Sequence, residues 1–274
     1  MGLPRSSHLQ RFLTAALLIP ALFAYLFWGG PTLFVLLTWV GLLMGAYEYT
    51  RLTGPRVDGP LFLLYALAGS AALGGAVWNG PAGLLGGLEL TFLTWAAYRI
   101  VTFRNPETFF ERSGKELFGL LYFSLFMPFF VLIRWTPQGL TWIFFLLAVN
   151  YAGDTAAYYT GRTWGRHKLA PAVSPKKTWE GSWGGLAANG LVAGIFQWAI
   201  FPASPMLEIV LLGCLLGGLS QVGDLTESLI KRASGFKDSG VLFPGHGGFL
   251  DRVDSLLLPA PLLYFYLRYW AAGP

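Results

Sequence analysis

The stretch that decides the fold is PMLEIVLLGCLLGGLSQVG, residues 205–223. It is apolar apart from Glu208, Ser220 and Gln221, and about 20 mostly apolar residues are enough to cross the hydrocarbon core of a bilayer. The whole chain shares this character, because 54% of its 274 residues are hydrophobic and 12% are charged. A soluble domain usually carries about 25% charged residues. We therefore expect an all-α polytopic membrane protein.

Outward from this stretch, the same pattern predicts nine membrane-spanning helices, separated mainly by Gly-Pro pairs and other prolines. The predicted spans are residues 9–28, 31–50, 60–78, 81–99, 116–135, 139–160, 179–200, 205–223 and 249–270. We interpret the first as a retained helix rather than a signal peptide, because no clear small-residue cleavage site follows it. The single cysteine, Cys214, rules out an intrachain disulfide.

The basic residues predict the orientation in the membrane. Alternating loops place 17 of the 19 lysines and arginines on the side of the N-terminus, and only Arg134 and Arg268 on the other side. Because cytoplasmic loops are enriched in lysine and arginine, we expect a cytoplasmic N-terminus and an external C-terminus at Pro274. The helices of residues 1–115 would form an N-terminal region, and residues 116–274 a catalytic region with cytoplasmic loops 161–181 and 231–248.

Four carboxylates fall near the cytoplasmic ends of three predicted helices. At 1.5 Å per residue, Asp154 lies about 22 Å along its helix and Asp224 about 28 Å along its own, while Asp251 and Asp254 begin the last helix. Intramembrane acids are costly and are functional candidates. Each acid alone could instead be an interfacial residue or a salt-bridge partner. Together, as oxygen ligands without a Cys or His cluster, they favour a hard cation such as magnesium.

Glu89 falls in the middle of the fourth predicted span, far from this layer of acids. We expect a buried, hydrogen-bonded acid or a subunit contact there rather than a catalytic group.

The loop GRTWGRHKLAPAVSPKKTWEG, residues 161–181, has the composition of a polyphosphate cradle. Lys176 and Lys177 supply ammonium groups, Ser174 and Thr178 supply hydroxyls, and a helix start follows with its free N–H groups. A positive-inside anchor is the alternative. The pattern is not that of a P-loop.

The loop 231–248, KRASGFKDSGVLFPGHGG, contains five glycines around Lys237, Asp238 and His246. This composition is typical of a mobile flap whose backbone approaches a ligand. His246 is a candidate acid, base or phosphate donor, and a simple turn residue is the alternative.

The motifs of the C-terminal part resemble those of one enzyme family. They are SPKKTWEG (174–181), GDLTES (223–228), SLIKR (228–232), KDSG (237–240), PGHGG (244–248) and DRVDS (251–255). Their combined spacing resembles the signature of phosphatidate cytidylyltransferases. The resemblance implies a multi-spanning, magnesium-dependent enzyme that joins CTP to phosphatidate, giving CDP-diacylglycerol and pyrophosphate, in the plasma membrane of a bacterium.

The resemblance also completes the set of candidate site residues. The predicted metal ligands are Asp224, Asp251 and Asp254. The predicted catalytic residues are these three with Lys231, Lys237 and His246. The predicted CTP-binding residues are Ser174, Lys176, Lys177, Thr178, Arg232 and Asp238.

We expect CTP, phosphatidate and the bilayer as partners, a homodimer as one oligomeric option, and no nucleic acid. The rival functions are cytidylyl transfer to another lipid phosphate, ion-coupled transport through a relay of acids, and hydrolysis of a lipid phosphate.

Overall fold

Long apolar segments of the chain form helices, which satisfy their own backbone hydrogen bonds as hydrocarbon requires. The fold is that of a computed structural model, which describes Tyr25, residues 27–54, residues 58–240, Leu242 and residues 247–271. The helices, in chain order, are α1 (Gly30–Thr53), α2 (Gly59–Thr102), α3 (Phe109–Ser124), α4 (Pro128–Arg134), α5 (Gly139–Trp164), α6 (Trp179–Ala199), α7 (Met206–Ala233), α8 (Leu250–Leu257) and α9 (Pro259–Tyr269). The predicted span 9–28 falls almost wholly outside the described residues, and His246 lies outside them too.

Five helical stretches in the described part of the chain are long and apolar enough to cross a membrane. They are α1, α2, the combined stretch Phe109–Arg134, α5 and α7. This confirms the prediction of an all-α membrane protein. Residues 206–223 of the predicted stretch lie within α7, which continues for ten residues beyond them to Ala233.

Glycine and proline divide the helices much as the sequence predicts. Within α2, Asn79 (φ −138°, ψ 28°) and Gly80 (φ 57°, ψ −140°) leave the helical conformation just before Pro81. The predicted spans 60–78 and 81–99 are therefore two helical halves joined by a kink. The positive φ at Gly80 is a conformation that glycine adopts without steric cost.

Two of the predicted spans contain a break in the helix. Residues 249–270 form two short helices, α8 and α9, and residues 116–135 contain the end of α3 followed by α4. Pro259 and Pro128 begin the second helix in each case. Proline lacks the N–H that a continuous helix would use and is tolerated in a first helical turn.

The chain divides into two compact units, of which the first comprises Met1–Trp135 and Phe236–Arg252. Helices α1 to α4 pack together in it. Tyr49 of α1 lies at the centre, in edge-to-face contact with Tyr65 (5.8 Å between ring centroids) and Phe123 (5.7 Å). Its hydroxyl donates to the Lys115 carbonyl oxygen at 2.8 Å, so that the buried polar end of the ring is satisfied.

The second unit comprises Thr136–Gly235 and Val253–Pro274. Helices α5, α6 and α7 pack together, and α9 contacts α7 and α5. Between α5 and α6, β1 (Lys168–Ala170) and β2 (Ser174–Thr178) form an antiparallel hairpin, with Lys168 opposite Thr178. The predicted loop 161–181 is therefore an ordered element that presents its lysines from a strand.

Candidate active site

An ion pair between two predicted site residues joins β2 to α7. Lys177 Nζ lies 2.5 Å from Asp224 Oδ2, and the two side chains are 26% and 34% exposed. Ser228, one turn further along α7, places its hydroxyl 3.4 Å from Asp224 Oδ1. A cation from the hairpin thus neutralises one of the predicted metal ligands.

Two further predicted acids of the same unit lie close enough to Asp224 for their charges to interact. Asp154 is exposed on α5 and feels the charges of both Asp224 and Lys177. Asp254 on α8 is buried, feels the charges of Asp224, Asp154 and Lys231, and accepts a hydrogen bond from the Ser255 N–H at 2.7 Å. Three carboxyl groups therefore lie in one region, with Lys177 and Lys231 as neighbouring cations.

A glycine brings α8 this close to α7. A Cβ added at Gly223 would overlap the backbone carbonyl of Asp254. Gly223, directly before Asp224, therefore permits backbone contact between the two helices that carry the acids.

A polar layer (Asn150, Ser220 and Ser255) joins α5, α7 and α8 beside the acids. The Asn150 amide donates to the Ser255 hydroxyl at 3.0 Å, and its carbonyl oxygen accepts from the Ser220 hydroxyl. All three side chains are buried. Asn150 and Ser220 each lie four residues, or about one helical turn, before Asp154 and Asp224. These hydrogen bonds fix the acid-bearing helices relative to one another.

The hairpin is held to the start of α6 by Glu180. Its carboxylate accepts from the Arg166 N–H at 3.1 Å and from the His167 N–H at 3.2 Å, and it also contacts His167 Nδ1 at 2.6 Å. The buried Thr178 hydroxyl caps α6 by accepting from the Gly181 N–H at 3.2 Å. Lys176 is exposed on the strand so positioned.

The remaining predicted residues of this unit have protein partners. Ser174 pairs with Ala170 in the hairpin. Lys231 forms an ion pair with the fully buried Glu227, one turn earlier in α7. Arg232 Nε donates to the Val173 carbonyl oxygen at 3.3 Å. These contacts tie the end of α7 to the hairpin, and the predicted phosphate-binding roles stay predictions.

In the first unit, Asp251 anchors the glycine-rich loop. Its Oδ2 accepts from the Ser239 N–H at 3.0 Å, the Ser239 hydroxyl at 2.9 Å and the Gly248 N–H at 2.9 Å. Lys237 and Asp238, just before Ser239, are exposed. One carboxylate oxygen therefore holds two points of the loop, Ser239 and Gly248, and the exposed Lys237 lies two residues before the first of them.

Glu48 of α1, which was not singled out from the sequence, is a buried acid that is 2% exposed. Its carboxylate accepts hydrogen bonds from Ser239, Phe249 and Leu250. It falls inside the predicted span 31–50, so the rule that singled out the other intramembrane acids applies to it as well. Glu89, by contrast, is exposed on α2. The prediction of a buried acid there is wrong, and the predicted subunit contact remains.

Within the described ranges, no group of three or more His, Cys, Asp or Glu side chains has the geometry of a metal site. The donor chemistry still fits magnesium, because that ion is usually held by one or two carboxylates together with substrate phosphates and water. Asp224 and Asp254 offer such carboxylates in one unit.

The family model described as the cytidylyltransferase family matches residues 9–270. The chain belongs to this family, a class of nucleotidyl-transferring enzymes. Among its relatives is a phosphatidate cytidylyltransferase of Pseudomonas aeruginosa, 36% identical over 269 residues that cover 96% of this chain and 97% of the relative. One of Haemophilus influenzae is 33% identical over 94% of this chain and 98% of its own length. One of Bacillus subtilis is 40% identical over 168 residues, 61% of this chain and 62% of the relative.

Proposed function

We propose that this protein transfers the cytidylyl group of CTP to phosphatidate. The phosphate oxygen of phosphatidate attacks the α-phosphorus of CTP, the bond from that phosphorus to the oxygen bridging to the β-phosphorus breaks, and pyrophosphate leaves. The product in the bilayer is CDP-diacylglycerol. The observation that carries the proposal is the similarity to phosphatidate cytidylyltransferases over nearly the whole length of both chains.

The arrangement of charges suits this reaction. Phosphatidate is already an anion at neutral pH, so the reaction needs neutralisation and alignment of two anions more than it needs a strong base. Lys177 and the exposed Lys176 stand on a strand that Glu180 and Thr178 hold in place. We assign both lysines to the CTP phosphates. Lys231, Arg232 and Lys237 are further candidates for binding phosphate.

Magnesium is part of the proposal, with Asp224 and Asp254 as ligands and Asp251 as the third predicted one. When bound, the ion would supply positive charge to phosphate oxygens of the substrates. Lys177 supplies that charge to Asp224 in the structure, at 2.5 Å. We infer that its ammonium group leaves this carboxylate for the triphosphate when CTP binds with the metal.

The proposed topology has nine spans with the N-terminus in the cytoplasm. It is supported by the segregation of 17 of 19 basic residues to one side, although five helices of the described part satisfy a strict length and hydropathy criterion. A site at the cytoplasmic interface receives CTP from water, while the lipid enters sideways with its acyl chains in the bilayer.

The test uses purified protein in detergent with labelled CTP, magnesium and phosphatidate, followed for labelled lipid and pyrophosphate. Formation of CDP-diacylglycerol in a one-to-one ratio with pyrophosphate is expected. Lys177→Met should lose most of this activity, and Lys168→Met, which removes another exposed cation of the hairpin, should keep it. A labelled product with a different lipid phosphate but not with phosphatidate would favour the rival transferase. Consumption of lipid phosphate without CTP would favour a hydrolase.

A further inference from the structure

Glu48 connects the membrane helix α1 to the start of α8. Its Oε1 accepts from the Phe249 N–H at 2.8 Å, and its Oε2 accepts from the Leu250 N–H at 2.9 Å. The first N–H groups of a helix have no partner within the helix. A buried carboxylate satisfies them and also interacts favourably with the positive end of the helix dipole. Glu48 therefore fixes the position at which α8, and with it Asp251, begins.

Ser239 lies between Glu48 and Asp251. Its hydroxyl oxygen is 3.1 Å from Glu48 Oε2 and 2.9 Å from Asp251 Oδ2, and the side chain is buried. A hydroxyl has one hydrogen to donate, so it serves one carboxylate at a time. The Ser239 and Gly248 N–H groups also donate to Asp251 Oδ2. Asp251 can thus exchange the hydroxyl for another partner while the backbone continues to hold it.

Two glycines allow the loop to approach the Glu48 carboxylate closely. A Cβ added at Gly248 would overlap Ser239 Oγ and lie against both oxygens of Glu48, and one added at Gly240 would also contact its carboxylate. The two glycines of the loop are therefore required by the close approach of this acid. Replacing the carboxylate with an amide would place an N–H donor against the backbone N–H of Phe249 or Leu250, where an acceptor is needed.

We propose that Glu48 is a positioning residue for the active site, which acts with Ser239 to set the orientation of Asp251. The proposal rests on the proposed function, because it assigns the effect to the aspartate predicted to serve cytidylyl transfer. Glu48 touches no substrate in this account. It places a residue of the C-terminal signature from a helix about 200 positions earlier in the chain, and Ser239 gives Asp251 a donor that it can release when it binds its ligand.

The alternative is that Glu48 only stabilises the fold as a helix cap. Both accounts predict that Glu48→Gln lowers the melting temperature. The two accounts predict different kcat values for this variant, because the loss of a helix cap alone would leave the turnover per folded molecule unchanged. They differ also for Ser239→Ala, which keeps the two backbone hydrogen bonds of Glu48 and removes only the shared hydroxyl.

The experiment compares Glu48→Gln with a matched control, Glu116→Gln. Glu116 is also a buried acid of the first unit, bonded to the Trp95 indole N–H at 3.1 Å and to Arg99 at 2.9 Å. Ser239→Ala is compared with Ser113→Ala, because Ser113 is also a buried serine and lies on α3. Two quantities are measured in the full-length protein: hydrogen exchange of the peptide covering residues 239–251, and kcat and KM for CTP.

We expect Glu48→Gln to accelerate exchange in this peptide by about 10-fold or more, and to lower kcat at least 10-fold with KM for CTP changed less than about 3-fold. Ser239→Ala should lower kcat about 3- to 10-fold, and the double variant should be no worse than Glu48→Gln. The two control variants should retain wild-type exchange in residues 239–251 and wild-type kcat. If Glu48→Gln does not fold, the Ser239→Ala and Ser113→Ala pair decides.

Wild-type kcat in a folded Glu48→Gln or Ser239→Ala variant would overturn the proposal, as would equal losses in the controls. Exchange is measured without substrate, so its outcome does not depend on the proposed function. If the wild type rejects phosphatidate, the kinetic comparison uses the lipid phosphate that it accepts, and failure of the proposed function is then seen in the wild type alone.

Discussion

Lys177→Met should weaken the binding of CTP and, at the same time, lower the magnesium requirement. The variant should bind CTP less well, because a phosphate clamp is lost. It should also need less magnesium, because the ammonium group that neutralises Asp224 at 2.5 Å is gone. A lysine that served only to anchor the hairpin would produce neither change in a folded protein.

The structure gives the size of both effects. Two unit charges at this separation attract by about 2 kcal/mol in a water-like dielectric and about 7 kcal/mol at an effective dielectric constant of 20. Both side chains are a quarter to a third exposed, so the lower figure applies, and it corresponds to about 30-fold in metal affinity. A charge-assisted hydrogen bond to phosphate contributes about 1.5–3 kcal/mol, or roughly 10- to 150-fold in kcat/KM.

The assay follows CDP-lipid formation at varied CTP with saturating magnesium, and then at varied magnesium with saturating CTP. We expect kcat/KM for CTP to fall at least 10-fold in Lys177→Met, and the magnesium concentration at half-maximal rate to fall between about 3-fold and 30-fold. Lys176→Met is the matched control, since it removes the neighbouring exposed charge and leaves the Lys177–Asp224 pair intact. It should weaken CTP binding without shifting the magnesium requirement. An unchanged or increased magnesium requirement in Lys177→Met would refute the exchange of partners at Asp224.

Three further predictions concern the site and its placement in the membrane. Asp224→Asn and Asp251→Asn should each lower kcat by about 100-fold or more in folded protein, because several kcal/mol of charge interaction are lost; near-normal turnover with an unchanged magnesium requirement would contradict these assignments. A reporter active only in the cytoplasm should be silent when fused after Pro274, and full activity would mean that the predicted number of spans is wrong by one. CTP made chiral with sulfur at the α-phosphorus should give a CDP-lipid of inverted configuration, as one in-line displacement requires; net retention, or labelled CMP trapped on the protein without phosphatidate, would indicate a covalent intermediate on a residue such as His246.

The sequence predicts the five long apolar helical stretches of the described residues because hydropathy measures the property on which they depend. The kink at Gly80 was also predictable, from its Gly-Pro pair. The helix boundary before Pro259 was missed because hydropathy is insensitive to a missing N–H group. The hairpin that carries Lys177 was predicted as a loop. Its two short strands are held by their mutual pairing and by the Glu180 carboxylate, and neither of these interactions produces a periodic pattern in the sequence.

The candidate site, like the fold, has one part that the sequence predicts and another that it does not. Depth along a helix can be counted from the sequence, and this placed Asp224 and Asp254 near each other. The ion-pair and hydrogen-bond partners of these side chains cannot be found by counting positions along a helix. Nothing in the sequence pairs Asp224 with Lys177, or Asn150 with Ser220 and Ser255. Glu48 shows the same limit, because its role depends on Ser239 and Leu250, which lie about 200 residues away in the chain.

The polar layer of Asn150, Ser220 and Ser255 has a mechanical consequence. Sliding α5 past α7 by one turn, about 5.4 Å, would leave a buried amide and two buried hydroxyls without these partners, at a cost of several kcal/mol. The layer therefore fixes the register of α5 against α7, and with it the relative heights of Asp154 and Asp224, which follow Asn150 and Ser220 by one turn.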